Sequence, residues 1–452
     1  MALRKNDEIK LNIESLTSDG SGIGRYDGQA VFVRGTAAGD EIIAHIIKTA
    51  KNYAVGKLAE IVSPAPCRVE PDCPVASKCG GCSFRHISYA AELEYKLSRV
   101  NDAMQRIGHI DIEAEEILGA DEINRYRNKA QYPVYVENGN LTAGFYAYKS
   151  HRVIPCESCL LQPAEFENGI AAFSKWVKKN NITSYDEKTG KGLLRHIYFR
   201  KAFATGQVMA CAVINGSAVP DKEYLIELLQ QAFENLKSVV ININTENTNV
   251  ILGGKTVTLW GDDRITDELL GKRFVISPES FYQVNHAQCE RLYKIAAEFA
   301  NLGGNETVLD MFCGAGTIGL TLADKCKSLV GVEIVPSAVE NARENAALNG
   351  VANARFICAD AFEGAKQITE MGIKPDIAIV DPPRKGCQKE LFDVFDSLGI
   401  NKIVYVSCDP ATLARDAAIL YDKGYEIKRL KAVDLFPRTV HVETVCLLSR
   451  TI

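Results

Sequence analysis

The first sixty residues alternate in short runs. Ile9, Leu11 and Ile13 are apolar with Lys10 and Asn12 between them, and apolar stretches follow at residues 30–34, 40–47 and 54–61. Gly20, Gly22, Gly24, Gly28, Gly35 and Gly39 punctuate these runs. Alternation broken by glycine turns predicts a small β-barrel. The period then changes. Over residues 92–107, Leu93, Leu97, Val100, Met104 and Ile107 recur at helical spacing. Strand-like runs at 132–136, 194–199, 207–214 and 239–245 predict a sheet-rich middle. From Thr307 onward, apolar runs at 307–312, 328–332, 354–358, 376–380 and 403–406 alternate with helical stretches such as 339–349, the pattern of an open α/β sheet. A last strand is expected over 440–448, where period two puts His441, Glu443 and Val445 on one face. The divisions this suggests are 1–62, 63–270 and 271–452.

Composition narrows the class. A chain of 452 residues has room for two to four domains and ample core. Its hydrophobic content of 46% is that of an ordinary globular protein. No apolar run reaches membrane-spanning length, and MALRKNDEIK lacks the apolar core of a signal peptide, so a cytoplasmic protein is expected. There the fourteen cysteines should be thiols or metal ligands rather than disulfides. A net charge of −5 gives no global reason to bind nucleic acid, so such binding has to rest on local patches. Lys48, Lys51, Asn52 and Tyr53 form one. Arg125, Arg127 and Lys129 form a second, and Lys149, His151 and Arg152 a third. Cations with aromatic neighbours suit splayed, single-stranded RNA.

Three constellations carry chemistry. Cys73, Cys79 and Cys82 are spaced C-x5-C-G-G-C, with Cys67 upstream and Cys156-Glu-Ser-Cys159 far downstream. Close cysteines in a turn-rich stretch with a distant fourth are a soft-metal pattern, and zinc and an iron–sulfur cluster both accept four thiolates. A glycine loop at 313–319 follows a strand, Glu333 ends the next strand, Asp360 follows the third, and Asp381-Pro382-Pro383-Arg384 follows the fourth. An acidic residue about twenty positions after a glycine loop can accept ribose hydroxyls, and the set reads as an S-adenosylmethionine site. Gln283 and Asn285 lead into a helix where they could meet a ligand. Finally, Cys408 ends a buried strand just before a helix that Asp409 can cap and Pro410 can start. Free amides and the helix dipole there favour a thiolate.

SPESFYQVN, DMFCGAGTIGL, GVEIVPSAVENARENAALNG, DPPRKG, YVSCDPATLARD and HVETVCLL occur in this order, and DGSGIGRYDGQAVFVRGTAAGDEI precedes them. Together they closely resemble the RNA uracil-C5 methyltransferase family, in its branch with a TRAM domain and an iron–sulfur cluster. Bacterial 23S ribosomal RNA enzymes are the nearest type. The resemblance implies a multidomain α+β protein. Its parts would be a TRAM/OB-like barrel, a central sheet-rich iron–sulfur domain and a Rossmann-like α/β methyltransferase domain. It implies Gln283, Phe312, Glu333 and Asp381 at the methyl donor; Asp360, by its place after the third strand, is the candidate for the adenine end. It implies Cys408 as nucleophile, Glu443 as base, and Cys73, Cys79, Cys82 and Cys159 as ligands of a [4Fe–4S] cluster. It also implies that the helix near 92–107 packs on the catalytic domain. Asparagine is common in such enzymes where Thr317 and Asp360 stand here. The expected partner is RNA, 23S first and transfer RNA as the alternative, with a monomeric enzyme. A non-catalytic RNA-binding iron–sulfur factor would need neither Cys408 nor Glu443. Amino-group methylation would need an aromatic residue where Arg384 stands.

Overall fold

A computed structural model describes residues 3–450. The N-terminal unit is a six-stranded sheet in the order Glu8–Asn12, Glu41–Thr49, Tyr53–Ser63, Gln29–Val33, Gly22–Tyr26, Ser15–Leu16. The predicted alternation holds, since Ile9 and Leu11 point inward and join Val31, Val33, Ile42 and Ile46 in a core of their own. Gly24 is needed where two strands cross closely, because a Cβ there would lie 2.2 Å from the Asn12 carbonyl oxygen.

The helix Tyr89–Arg106, capped by Ser88, lies on the C-terminal unit. Val100, Ala103 and Met104 pack with Leu413, Ala414 and Ala417 of the helix Pro410–Asp422. The short strand Ile117–Leu118 extends the C-terminal sheet beside Ala432 and Val433.

The middle holds a seven-stranded sheet in the order Val153–Pro155, Asn140–Tyr146, Lys129–Glu137, Leu194–Lys201, Val208–Ile214, Leu236–Ile243, Lys255–Gly261. Phe166–Asn180 and Lys222–Ala232 cover one face. The other face is not solvated. Tyr198, Met209, Cys211 and Val240 share one core with Phe274, Leu292, Phe299 and Val308. This is why Val208–Ile214 is buried at every position: a strand covered on both faces loses its polar alternation. The expected division at 270 falls at the turn of a hairpin, Ile265–Leu269 with Lys272–Ile276, whose two strands both feed that shared core.

The C-terminal sheet runs Ala354–Cys358, Ser328–Glu333, Thr307–Met311, Ile377–Val380, Lys402–Ser407, Glu443–Arg450, Tyr425–Val433. The first five are parallel, and Glu443–Arg450 inserts antiparallel beside Lys402–Ser407. Order reverses between Thr307–Met311 and Ile377–Val380, which opens a crevice at the carboxyl ends of the strands. One boundary differs from the sequence reading. The last strand starts at Glu443 rather than 440, so His441 lies outside it. Pro437 has no N–H to give a ladder, and Arg438 takes a left-handed φ of 69°, so residues 434–442 cross over as an irregular segment.

Candidate active site

Cys408 follows the strand Lys402–Ser407 and precedes the helix Pro410–Asp422. Asp409 caps that helix, its carboxylate accepting from the Thr412 N–H at 3.0 Å. The neighbouring antiparallel strand pairs Thr444 with Ser407, so the next position in register sets Glu443 beside Cys408. Glu443 is 3% exposed, and among the described residues none donates a hydrogen bond that would offset its burial. Burial, then the charge of Asp381, pushes its carboxyl up to about 8, against a smaller opposing pull from Arg384. Asp381, at the end of Ile377–Val380, is itself pushed by burial to about 7. Cys408 does not follow the sequence expectation of a thiolate. Burial, Glu443 and Asp381 push its thiol up to about 11, and Arg384 and a backbone N–H offset only part of that. The helix terminus is outweighed first by burial and then by two carboxyls that its sequence neighbourhood does not contain. A thiol, two carboxyls with raised affinity for protons and one guanidinium thus share a crevice, a set suited to covalent attack with proton transfer.

The loop after Thr307–Met311 carries or touches several of the residues expected at the donor. Phe312 takes a φ of 63°, and Gly314 and Gly316 are also left-handed. Glu333 braces the loop, accepting from the Gly314 N–H at 3.1 Å and the Val335 N–H at 2.9 Å. Beneath it, Asp310 accepts from the Gly319 N–H at 2.9 Å and is pushed to about 7 by burial, with Asp381 and Glu333 adding repulsion. Asp360 is exposed and caps the helix Ala361–Glu370 through the Phe362 and Glu363 N–H groups. Thr317 bonds Tyr293 through their hydroxyls at 2.8 Å. Gln283 is buried, its carbonyl held by the Asn128 side chain at 2.8 Å. Asn285 is spoken for: it caps His286–Ala300 and donates to the Leu435 carbonyl at 3.1 Å, so it is not free for a ligand. Two residues escaped the sequence reading. Phe281, two places before Gln283, exposes 71% of its surface, and a large ring so exposed in a site loop offers a stacking face. Arg384, read only as the residue in place of an aromatic, is the cation that acts on both Cys408 and Glu443 and lies 3.3 Å from His441. The DPPR spacing was the signal for it.

The cysteines converge at a second place. Cys73, Cys79, Cys82, Cys156 and Cys159 line one pocket of about 340 Å³, with Arg85, Arg127 and Lys129 among its other walls. All five are free thiols. Cys67 is not among the lining residues and lies instead near Asp40 and Arg68. Between the two distal cysteines the chemistry is uneven. A hydrogen bond from Cys156, and then the Leu161 and Gln162 N–H groups, hold Cys159 down to about 6, while Cys156 is driven up. Burial raises Cys82 to about 11 in spite of Arg85. Among the described residues, no three of His, Cys, Asp and Glu are grouped so as to hold a metal ion.

The basic patches sort differently. Arg125 pins the Cys159 turn, donating to the Cys159 and Gln162 carbonyls at 2.9 Å and to Glu167 at 3.0 Å, so it is committed internally. Arg127 and Lys129 face the thiol pocket, and burial with Arg200 and Arg127 lowers Lys129 to about 8. Tyr148 and Lys149 stand at an exposed hairpin tip, with Arg34, in the turn after Gln29–Val33 of the N-terminal unit, stacked 3.3 Å from the Tyr148 ring centre. Lys48, Lys51 and Asn52 are exposed at another tip.

Comparison with known proteins gives a consistent picture. The sequence model of the tRNA (uracil-5-)-methyltransferase family matches residues 88–451, and that of the TRAM domain matches residues 3–59. An uncharacterized RNA methyltransferase of Clostridium tetani is 45% identical over 447 residues, 99% of this chain and 97% of that protein. One from Listeria monocytogenes serotype 4b is 46% identical over 446 residues, 99% and 98%. Among solved structures, the Pyrococcus abyssi tRNA (uracil-54, C5)-methyltransferase in complex with S-adenosyl-L-homocysteine superposes with a TM-score of 0.79. It is 27% identical and covers 97% of this chain and 100% of its own.

Proposed function

The chain belongs to the tRNA (uracil-5-)-methyltransferase family, and on that premise we propose that it methylates C5 of a uridine in 23S ribosomal RNA through a Cys408–uracil C6 adduct. S-adenosylmethionine supplies the methyl group as an electrophile. The observation that carries the reading is the placement of Cys408 beside Glu443 at the open end of the sheet, with Asp381 and Arg384 acting on both. Uracil C5 is a weak nucleophile. Once the Cys408 thiol has given its proton to solvent, the sulfur attacks C6, the C5–C6 double-bond pair moves on to make an enolate, and C5 takes the methyl group from the sulfonium with release of S-adenosylhomocysteine. Glu443 then removes the C5 proton, the double bond re-forms and Cys408 leaves as thiolate. Gln283, Phe312, Glu333, Asp360 and Asp381 are the residues we assign to the donor, and Phe281 to the face of the extruded base. The exposed Lys48–Lys51 tip and the Arg34–Tyr148–Lys149 patch are the surfaces we assign to RNA.

An iron–sulfur cluster fits the thiol pocket by its donor set. Ligands of one tetrahedral ion would have sulfurs only about 3.8 Å apart, given a metal–sulfur bond of about 2.3 Å. Five thiols around a pocket of about 340 Å³ offer the soft donors and the room that such a cluster needs. Cys73, Cys79, Cys82 and Cys159 would hold it, with Arg85 as counter-charge. Bound there, it would tie the segment around Cys73–Cys82 to the Cys159 turn. Iron and sulfide should both be lost from a purified Cys79→Ser variant, and undiminished content would remove the assignment.

A transcript carrying 5-fluorouridine tests the reaction. The fluorine cannot leave as a proton does, so the wild-type chain should be captured covalently and Cys408→Ala should not. Mapping 5-methyluridine in a deletion strain tests the target. Loss is expected in 23S ribosomal RNA, and loss confined to transfer RNA would overturn that part.

A further inference from the structure

Residues 434–442 lead from the strand Tyr425–Val433 to Glu443, and distant parts of the chain hold them in place. Lys96 Nζ donates to Asp434 Oδ1 at 2.6 Å, to Glu92 Oε1 at 2.7 Å and to the Phe436 carbonyl at 3.2 Å. Tyr89 donates its hydroxyl to Asp434 Oδ2 at 2.8 Å. The Arg438 N–H donates to Glu92 Oε1 at 2.7 Å, while its carbonyl accepts from the Ser83 and Phe84 N–H groups at 2.8 and 3.2 Å. Tyr126 donates to the Pro437 carbonyl at 2.9 Å.

The side chains of Lys96, Glu92 and Asp434 are wholly buried. A buried cation between two carboxylates is a poor device for stability alone, because apolar residues of similar size often do as well or better. It does fix geometry, since each donor direction is used. What it fixes here is the segment that ends in Glu443 and carries His441, which lies 3.3 Å from Arg384. Arg438, within 3.7 Å of Glu92, balances the remaining negative charge.

We propose that the Lys96–Glu92–Asp434 cluster positions the catalytic base: it holds residues 434–442 so that Glu443 meets C5 of the adduct, and it governs elimination rather than methyl transfer. This rests on the reaction proposed above. In elimination, a Glu443 oxygen takes the C5 proton, and the C–H electron pair re-forms the C5–C6 bond. The Cys408–C6 bond then breaks with its pair returning to sulfur. Cys408 is anchored through Asp409 and its own helix, whose contact with Tyr89–Arg106 is apolar, through Val100, Ala103 and Met104, and does not use Lys96, so attack and methyl transfer do not depend on the ionic cluster. Lys96, Glu92 and Tyr89 are positioning residues.

The test uses full-length Lys96→Met, Lys96→Arg and Tyr89→Phe with S-adenosylmethionine and an unmodified 23S ribosomal RNA transcript. Four quantities are read: single-turnover methyl transfer, steady-state turnover, the fraction of enzyme in a denaturant-stable RNA complex, and thermal unfolding. A remote change that misplaces a catalytic group by about 1 Å can cost ~10²-fold. For Lys96→Met, turnover should fall about tenfold or more, single-turnover methylation should stay within about threefold, and the covalent fraction should rise. Lys96→Arg should recover part of the turnover, and Tyr89→Phe should move each quantity the same way by less. Equal loss of both rates without covalent accumulation overturns the proposal, as does a lowered unfolding temperature with wild-type turnover. If Lys96→Met does not fold, Tyr89→Phe decides by the same criteria. Failure of the wild-type chain to be captured by a 5-fluorouridine transcript would remove the reaction itself. Normal capture with unchanged covalent fractions in the variants would remove only this inference.

Discussion

A thiol pushed up to about 11 is only about one part in 10⁴ ionised at neutral pH, so Cys408 waits for a charge to arrive. Burial raises it most, and a sulfonium bound at the proposed donor site would offset the part that Glu443 and Asp381 add. Alkylation of Cys408 followed against pH should therefore move to lower pH with S-adenosylmethionine bound and much less with the uncharged S-adenosylhomocysteine. Equal shifts with both ligands would contradict this electrostatic account. Glu443 has a stability counterpart. Its ordinary value of 4.5 in the unfolded chain rises to about 8 in the folded one. Below 4.5 both states hold the proton and nothing is lost. As pH climbs from 4.5 to 8, the unfolded state ionises first and folding loses stability, with the full loss present above 8. Glu443→Gln has no such titration, so it should be more stable than wild type by roughly 2–4 kcal/mol at pH 8.5 and close to it at pH 4.5, read by chemical unfolding at both pH values. The pair Cys408 and Glu443 was legible from strand ends, caps and family motifs. Their protonation was not, because Asp381 and Arg384 reach them only through the sheet.

At the scale of elements, local signals worked where the structure is local. The Asp409 cap, the proline start and the β-branched strand before Cys408 stand as the sequence implied. Asp409→Ala should cost about 1 kcal/mol of stability and lower turnover by loosening the helix start. The glycine loop makes a sharper demand. A Cβ on Gly319, in the helix Thr317–Leu322 that the loop leads into, would come 2.6 Å from Asp310 Oδ2 and 2.9 Å from Leu329, so the start of that helix or the carboxyl must move. Gly319→Ala should cost roughly 1–3 kcal/mol and weaken S-adenosylhomocysteine binding in calorimetry, and unchanged affinity would detach the loop from the donor site. Local signals failed at Asn285 and Arg125. Both have the residue type of a ligand contact, yet their groups are consumed by Leu435, Cys159, Gln162 and Glu167. No short stretch of sequence contains those partners.

On the scale of the whole molecule, the middle sheet and the C-terminal sheet are halves of one core. Tyr198, Met209 and Val240 from one side meet Phe274, Leu292 and Phe299 from the other. A fragment of residues 271–452 should thus expose a large apolar face, and it should be insoluble or fail to bind S-adenosylhomocysteine. A soluble, binding-competent fragment would show that the shared core is dispensable. The N-terminal sheet differs in having its own core of Leu11, Val31, Val33 and Ile42.

The amino-acid sequence by itself determined the elements, the order of the motifs and the strand ends on which Cys408 and Glu443 stand, because alternation, caps and turn residues act over a few positions. Only the tertiary structure decided which groups are charged, which polar residues are already satisfied, and how Glu443 is held. Those depend on burial and on contacts such as Lys96 with Asp434, 338 residues apart, and no local pattern encodes such a meeting.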